Sequence, residues 1–319
     1  MFYVILGMFM DAIGMLLLTL PVVYPAVIGL GYDPIWFGIV VVKMCEVCLI
    51  TPPIGLNCYV VAGVRPDIPL QEVFKGIGPF FIADVITLGV FLAWPELITW
   101  LPDHGYTVAS ISYRFSGVAK FPAQLHDCKG AVRWLRANAR KYGYDSKNIF
   151  VAGASAGGHL TALMATTSGH KLLEGDVGGN LDQSSTIQAA IDYYGPTDFI
   201  LRSKTQPSRA NEKGSVVYEL LGGGAHKKVA EAKLASACYH VSKDDPPLLV
   251  FHGTRDKTVL LDQSQAIQDR YNKAGLSITF HVIDGAGHGG NIFYSGKNAN
   301  RLLEFLKYQM RTPPEFREK

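Results

Sequence analysis

The chain has 319 residues, 48% of them hydrophobic and 18% charged, with a formal charge of +3, so it is long enough for two domains and more apolar than an ordinary soluble one. Both signs of charge are spread along it without a basic stripe, which argues against a nucleic-acid partner. The five cysteines (Cys45, Cys48, Cys58, Cys128 and Cys238) are odd in number and scattered, which excludes a disulfide framework, and the averages hide a division: ten of the first 102 residues are Asp, Glu, Lys or Arg, against 47 of the remaining 217.

Between Asp11 and Asp33 lie twenty-one uncharged residues, AIGMLLLTLPVVYPAVIGLGY, about the length that a membrane span needs. A cleavable signal peptide is the competing reading, but neither a basic start nor a polar mature sequence flanks the run. Val47 to Val64 (VCLITPPIGLNCYVVAGV) is a second uncharged run, and Gly76 to Pro95, interrupted only by Asp84, is a third, so three lipid-facing segments are expected. Pro21, Pro25 and the pair Pro52 and Pro53 followed by Gly55 are expected to break these segments in the middle. Broken helices at membrane depth are tolerated where they line a cavity or are covered by protein. Cys45 and Cys48 form C-x-x-C inside an apolar run with no second pair, which does not point to a metal or redox site. Asp11, Lys43, Glu46 and Asp84 are ionisable residues in or beside these apolar stretches, where such residues either mark function or stand as unpaired liabilities.

The strings GMFMDAIGMLLLTLPVVYPAVIGLGYDPIWFGIV and LITPPIGLNCYVVAGV, with the closing PELITWLP, resemble the C-terminal end of the large permease subunit of TRAP dicarboxylate transporters, over residues 1 to about 102. The resemblance implies an all-α membrane-type segment with broken helices, in contact with membrane lipid through residues 1–102 and associated with a bacterial inner membrane. It also implies permease subunits as partners, and it carries Thr51, Pro52, Pro53, Gly55 and Asn57 into the ion and substrate region. The family's subunit is longer than this segment, so transport by the segment alone is not expected.

From Tyr106 the apolar residues form short runs between amphipathic stretches. Tyr106 to Ser112, Ile149 to Ala152, Ile187 to Tyr194, Pro247 to His252 and Ser277 to Ile283 read as strands. Pro122 to Lys141, with Pro in its first turn and Leu125, Cys128, Val132 and Leu135 on one side, reads as a helix. Strands alternating with helices indicate an α/β fold with a parallel sheet covered on both faces.

At the end of one strand stands VAGASAGGHL, in which Gly153, Ser155 and Gly157 make the G-x-S-x-G nucleophile elbow, where small neighbours allow the sharp turn that lifts a serine hydroxyl above a sheet. The motif follows a strand and opens a helical stretch, so the amide of Ala156 at the helix start is a candidate oxyanion donor. A serine needs a base and the base an orienting acid, and in a fold with this elbow they follow in the chain order Ser, Asp, His. Asp256 follows the strand PLLVFH, 101 residues beyond the serine, and His288 follows the strand SITFHVI, a further 32 residues on. Their expected roles are base for His288 and orienting acid for Asp256. Among the rival acids, Asp245 precedes its strand, Asp284 stands too early on the His288 loop, and Asp262 falls in the next helix. His252 and His159 read as packing or hydrogen-bonding residues.

The strings SISYRFS, FPAQLHDCKGAVRWLRANARKYGYDSKNIFVAGASAGGHL, YYGPTDF, SKDDPPLLVFHGTRDKTV and DGAGHGG resemble the α/β-hydrolase superfamily, in its bacterial esterase branch related to hormone-sensitive lipase and to acetyl and feruloyl esterases. The resemblance implies hydrolysis of small carboxylic esters through an acyl-serine, with no metal and no organic cofactor. It assigns residues 103–319 to the hydrolase, with a cap over the acyl pocket near residues 203–240. It also exposes a gap. The family's H-G-G loop, which follows its third strand, supplies further oxyanion amides, and at the corresponding distance this chain reads PLQEVFKGIGPFF. His104 and Gly105 do not substitute, because they precede the stretch matching the fourth strand. The expected fold is therefore an α/β-hydrolase lacking its first three strands. Losing one oxyanion donor costs roughly 3 to 4 kcal/mol of transition-state stabilisation. Losing the third strand removes the pairing partner of two central strands, and each buried backbone group left unsatisfied costs about 1 to 3 kcal/mol. The main functional reading is a serine esterase. The alternatives are a membrane transport fragment with an appended hydrolase, or an inactive chimera of two genes.

Overall fold

The computed structural model describes residues 12–51, 55–64, 67–93 and 96–311. The chain divides into two compact units, residues 1–109 and 110–319.

In the first unit α1 (Ala12–Gly29), α2 (Pro34–Ile50), α3 (Leu56–Val64), α4 (Leu70–Ala93) and α5 (Glu96–Asp103) follow one another. Asp33 ends the first apolar run and starts α2: its carboxylate accepts the N–H groups of Ile35 and Trp36 at 2.8 Å, with Pro34 in the first turn. The second segment expected from the sequence, Val47 to Val64, is thus displaced. A capped helix begins well before it, and the run is divided between the end of α2 and all of α3. Lys43 lies within α2 and is paired, with Glu46 at 3.0 Å and with Asp84 of α4 at 2.6 Å, so these three residues are not unpaired liabilities. Asp11 lies outside the described residues.

The prolines of α1 correct a further expectation. The helix runs through Pro21 and Pro25 without a break. The two are four residues apart, so their rings and lost N–H groups fall on one stripe, and both are exposed, where the bulk displaces no packed neighbour. α2 ends at Ile50 and α3 begins at Leu56, and residues 52–54, with Pro52 and Pro53, lie outside the described residues. The unit's buried cluster is Met15 with Trp36, Phe37, Val40, Val41, Cys45 and Cys48, and the Trp36 indole donates to the Phe91 carbonyl at 2.7 Å. Only α4, among the described residues, is a helix long and apolar enough to cross a membrane, and its apolar window is unburied.

The second unit holds a four-stranded, all-parallel sheet in sequential order: β1 (Phe150–Ala154), β2 (Ala189–Tyr193), β3 (Leu248–Gly253) and β4 (Ile278–Ile283). The helix expected from Pro122 is α6 (Ala123–Tyr142), and α7 (Ala156–Thr166) packs across β1 and β2. Leu125 and Val132 of α6 and Leu160 and Leu163 of α7 join Ala190, Leu248 and Val250 of the sheet in one core. After the short α8 (Lys171–Glu174) and β2 comes a run of short helices: α9 (Phe199–Thr205), α10 (Pro207–Ala210), α11 (Val216–Leu221) and α12 (Val229–Leu234). They form their own apolar cluster around Phe199, Val217 and Leu220. Then α13 (Asp262–Ala274) follows β3 and α14 (Gly296–Arg311) follows β4.

One expected strand does not form. Tyr106 to Ser112 enters no ladder, and Val108 and Ile111 are 56% and 41% exposed. A strand exists only through a partner. Among the described residues β1 pairs with β2 alone, and no strand stands on its other side to bridge to the 106–112 stretch.

Candidate active site

The site is built at the C-terminal ends of the parallel strands. Ser155 follows β1 with φ 55° and ψ −113°, a conformation that a serine adopts only when its surroundings impose it. Two contacts impose it here. Its N–H donates to the Tyr193 carbonyl at the end of β2 (2.8 Å), and its carbonyl accepts the His159 N–H in the first turn of α7 (2.9 Å). Glycines make room: a Cβ on Gly153 would stand 2.4 Å from the Gly157 backbone, and one on Gly158 would stand 2.2 Å from the Asp192 carboxylate. Ala156 is the first residue of α7, so its N–H has no preceding helical turn to bond.

Asp256 lies in the loop after β3, buried at 4% exposure. Its Oδ1 accepts the N–H groups of Thr258 (2.8 Å) and Val259 (2.9 Å). His288 lies in the loop after β4, which is held against the end of β3: a Cβ on Gly253 would stand 2.3 Å from the Ala286 carbonyl, and that carbonyl accepts the Arg255 N–H at 2.8 Å. The three side chains are joined. His288 Nδ1 meets Asp256 Oδ2 at 2.6 Å and His288 Nε2 meets Ser155 Oγ at 2.8 Å. Opposite a carboxylate Nδ1 must carry the proton, which leaves the Nε2 lone pair facing the serine hydroxyl.

Burial pushes the Asp256 carboxyl up, but the hydrogen bonds from His252, His288 and the two loop amides outweigh it, and the group is lowered to about 2. It is therefore anionic at neutral pH. Asp192, beneath Gly158, is pushed up to about 6 by burial against the opposing Gly195 N–H and His252. Burial also lowers His159 to about 4, and the ring bonds the Ala235 carbonyl at 2.6 Å.

The rival acids are engaged elsewhere. Asp284 accepts from Thr254 Oγ1 at 3.1 Å, Asp245 binds Ser242 (2.8 Å), and Asp262 opens α13. His104 bonds the Trp100 carbonyl within its own helix turn. In the first unit, Thr51 Oγ1 donates to the Val47 carbonyl, Asn57 is exposed, and Gly55 is required by close approach, since a Cβ would stand 2.9 Å from the Ile50 backbone.

Three residues at the site have no signal in the linear pattern. Tyr194 has φ 47°, lays its ring 4.8 Å from that of His288, and pairs its hydroxyl with that of Tyr294 at 2.6 Å. Arg202, in the run of short helices, is buried, reaches the acid loop, and is lowered to about 10, first by desolvation.

Comparison with known proteins agrees with this architecture. Residues 93–271 match the BD-FAE family model, and residues 1–97 match the DctM component of tripartite ATP-independent periplasmic transporters. Esterase LipC of Mycobacterium tuberculosis is 29% identical over 224 residues, covering 69% of this chain and 55% of LipC, so the chain spans about half the length of that relative. The C4-dicarboxylate TRAP transporter large permease protein DctM of Vibrio cholerae is 38% identical over 96 residues, covering 30% of this chain and 21% of that protein. A solved structure, the truncated form of a carbohydrate esterase from gut microbiota, superposes with a TM-score of 0.57 at 31% identity, covering 63% of this chain and 73% of its own. The sheet and its helices are thus those of an α/β-hydrolase. The BD-FAE match takes in more than half of the residues, and by it the chain belongs to the BD-FAE family, while residues 1–97 are similar to part of a TRAP permease.

Proposed function

We propose that the chain is a serine carboxylic-ester hydrolase acting on small esters of the acetyl or feruloyl type. The observation that carries this reading is the unbroken hydrogen-bond chain from Ser155 Oγ through His288 to Asp256, on a strained strand-to-helix turn. In the proposed reaction His288 Nε2 takes the Ser155 proton as Oγ attacks the ester carbonyl. The carbonyl oxygen becomes an oxyanion facing the Ala156 N–H, and Asp256 stabilises the imidazolium. Return of that proton to the departing alkoxide releases the alcohol and leaves an acyl-serine. Water, deprotonated by His288, then cleaves the acyl-serine to the acid and restores the serine hydroxyl.

The esterase and carbohydrate-esterase relatives support the substrate class. Residues 103–319 form the hydrolase in this proposal, with residues 203–240 as a cap. Residues 1–102 form a segment that contacts membrane lipid, and the permease resemblance supports association with a bacterial inner membrane and with permease subunits. The test is hydrolysis of a short-chain nitrophenyl ester by folded, detergent-solubilised chain. The expected result is turnover that falls by more than about 1,000-fold in Ser155→Ala. Absence of turnover from the folded parent would favour the inactive chimera.

A further inference from the structure

The grip on Asp256 extends one layer outward, into the run of short helices that follows β2. The two amides on Asp256 Oδ1 belong to consecutive peptide units, and the opposite ends of those same units are also bonded. The Lys257 carbonyl, in the unit that ends in the Thr258 N–H, accepts Gln206 Nε2 at 3.2 Å. The Thr258 carbonyl, in the unit that ends in the Val259 N–H, accepts Arg202 Nη2 at 2.8 Å and Gln206 Nε2 at 3.4 Å. Each peptide therefore runs donor, carbonyl, amide, carboxylate in one line, and bonds in such a chain polarise one another. A cation at the head of the line strengthens the amide at its tail.

Arg202 and Gln206 are only 7% and 9% exposed. Arg202 Nε and Gln206 Oε1 have no hydrogen-bond partner among the described residues. A guanidinium kept in such surroundings is unfavourable for folding alone, which favours a use for its charge.

We propose that Arg202 and Gln206 are positioning residues of the acid arm. Through the two peptide units they orient and polarise the amides that hold Asp256, so the segment after β2 takes part in alignment and not only in covering the site. The proposal rests on the triad reading given above.

The experiment is a double-mutant cycle in the full, detergent-solubilised chain, using Arg202→Met, Gln206→Met, Asp256→Asn and the pairwise combinations, with thermal unfolding of each variant. In the parent background Arg202→Met is expected to lower kcat by about 10- to 100-fold with KM unchanged. In the Asp256→Asn background its further effect is expected to be less than about twofold, because the carboxylate to be aligned is gone. Equal losses in both backgrounds would reduce Arg202 to a structural tie, and a rise in KM with kcat unchanged would make it a substrate contact. Full activity in Asp256→Asn alone would instead overturn the triad reading itself. A readout that needs no turnover is the low-field proton resonance of His288 Nδ1–H in its bond to Asp256. The resonance is expected to shift in both Arg202→Met and Gln206→Met, and an unchanged resonance in folded variants would sink the proposal.

Discussion

His252, at the end of β3, has one workable tautomer. Its Nε2 faces only acceptors, the Val259 carbonyl at 2.9 Å and Asp256 Oδ2 at 3.2 Å, so it carries the proton, while Nδ1 accepts from the Ser264 hydroxyl at 2.7 Å. The sequence places it as a packing or hydrogen-bonding residue, and its partners become visible only when the loop after β3 folds back. His252→Phe keeps the ring volume and orphans the Val259 carbonyl and the Ser264 hydroxyl, so denaturant unfolding is expected to show a loss of about 1 to 3 kcal/mol. Asp192 makes a prediction of the opposite kind. Its folded value of about 6 stands above the ordinary range of an aspartate carboxyl. As pH rises from about 4 to 6 the unfolded chain gives up this proton first, so the group's contribution is present at low pH and lost as pH passes the folded value. Asp192→Asn is therefore expected to gain on the parent, by up to about 3 kcal/mol, between unfolding measured at pH 4 and at pH 7. His159, lowered to about 4, acts with the other sign: its contribution is present above 6.5 and is lost as pH falls towards 4.

At the scale of elements, the elbow shows what a motif says and what it omits. G-x-S-x-G treats its two glycines alike, but the contacts differ. Gly153 and Gly158 abut backbone or carboxylate atoms, whereas a Cβ on Gly157 meets nothing within 4 Å. Gly153→Ala and Gly158→Ala are expected to lower stability by about 1 to 3 kcal/mol, with Gly157→Ala near neutral, as chemical unfolding would show. The serine, its strand and its helix are legible because a short apolar run, the G-x-S-x-G turn and a helical stretch follow one another directly in the chain. The strand expected at 106–112 does not form because a short apolar run describes a chain able to pair, and pairing needs a neighbouring strand that the run itself does not supply. At Pro21 and Pro25 the expectation fails because a proline removes one intrahelical hydrogen bond without obliging the helix to end.

For the whole molecule, the contrast in charge between the first 102 residues and the rest returns as two compact units with different surfaces. In the first, Leu17, Val22 and Phe80 are 73%, 73% and 67% exposed, and α4 has no buried residues. Apolar surface so displayed favours lipid over water by about 25 cal/mol per Å². The full chain is expected to float with phospholipid vesicles and to stay bound at high salt, since the attraction is apolar and not ionic. Release at high salt would count against insertion.

What the sequence determined by itself were the properties carried by short stretches of chain: the apolar first part, the alternation of strands and helices, the elbow around Ser155, and the order Ser, Asp, His at strand ends. Tertiary structure decided what depends on residues far apart in the chain. It joined Ser155 to His288 and His288 to Asp256, left 106–112 without a ladder, set the tautomer of His252, and brought Arg202 and Gln206 to the far side of the peptides that hold Asp256. The physical reason is common to all of these. Periodicity and turn chemistry are local to the backbone, whereas a hydrogen bond across fifty or more residues exists only once the sheet has set the loops side by side.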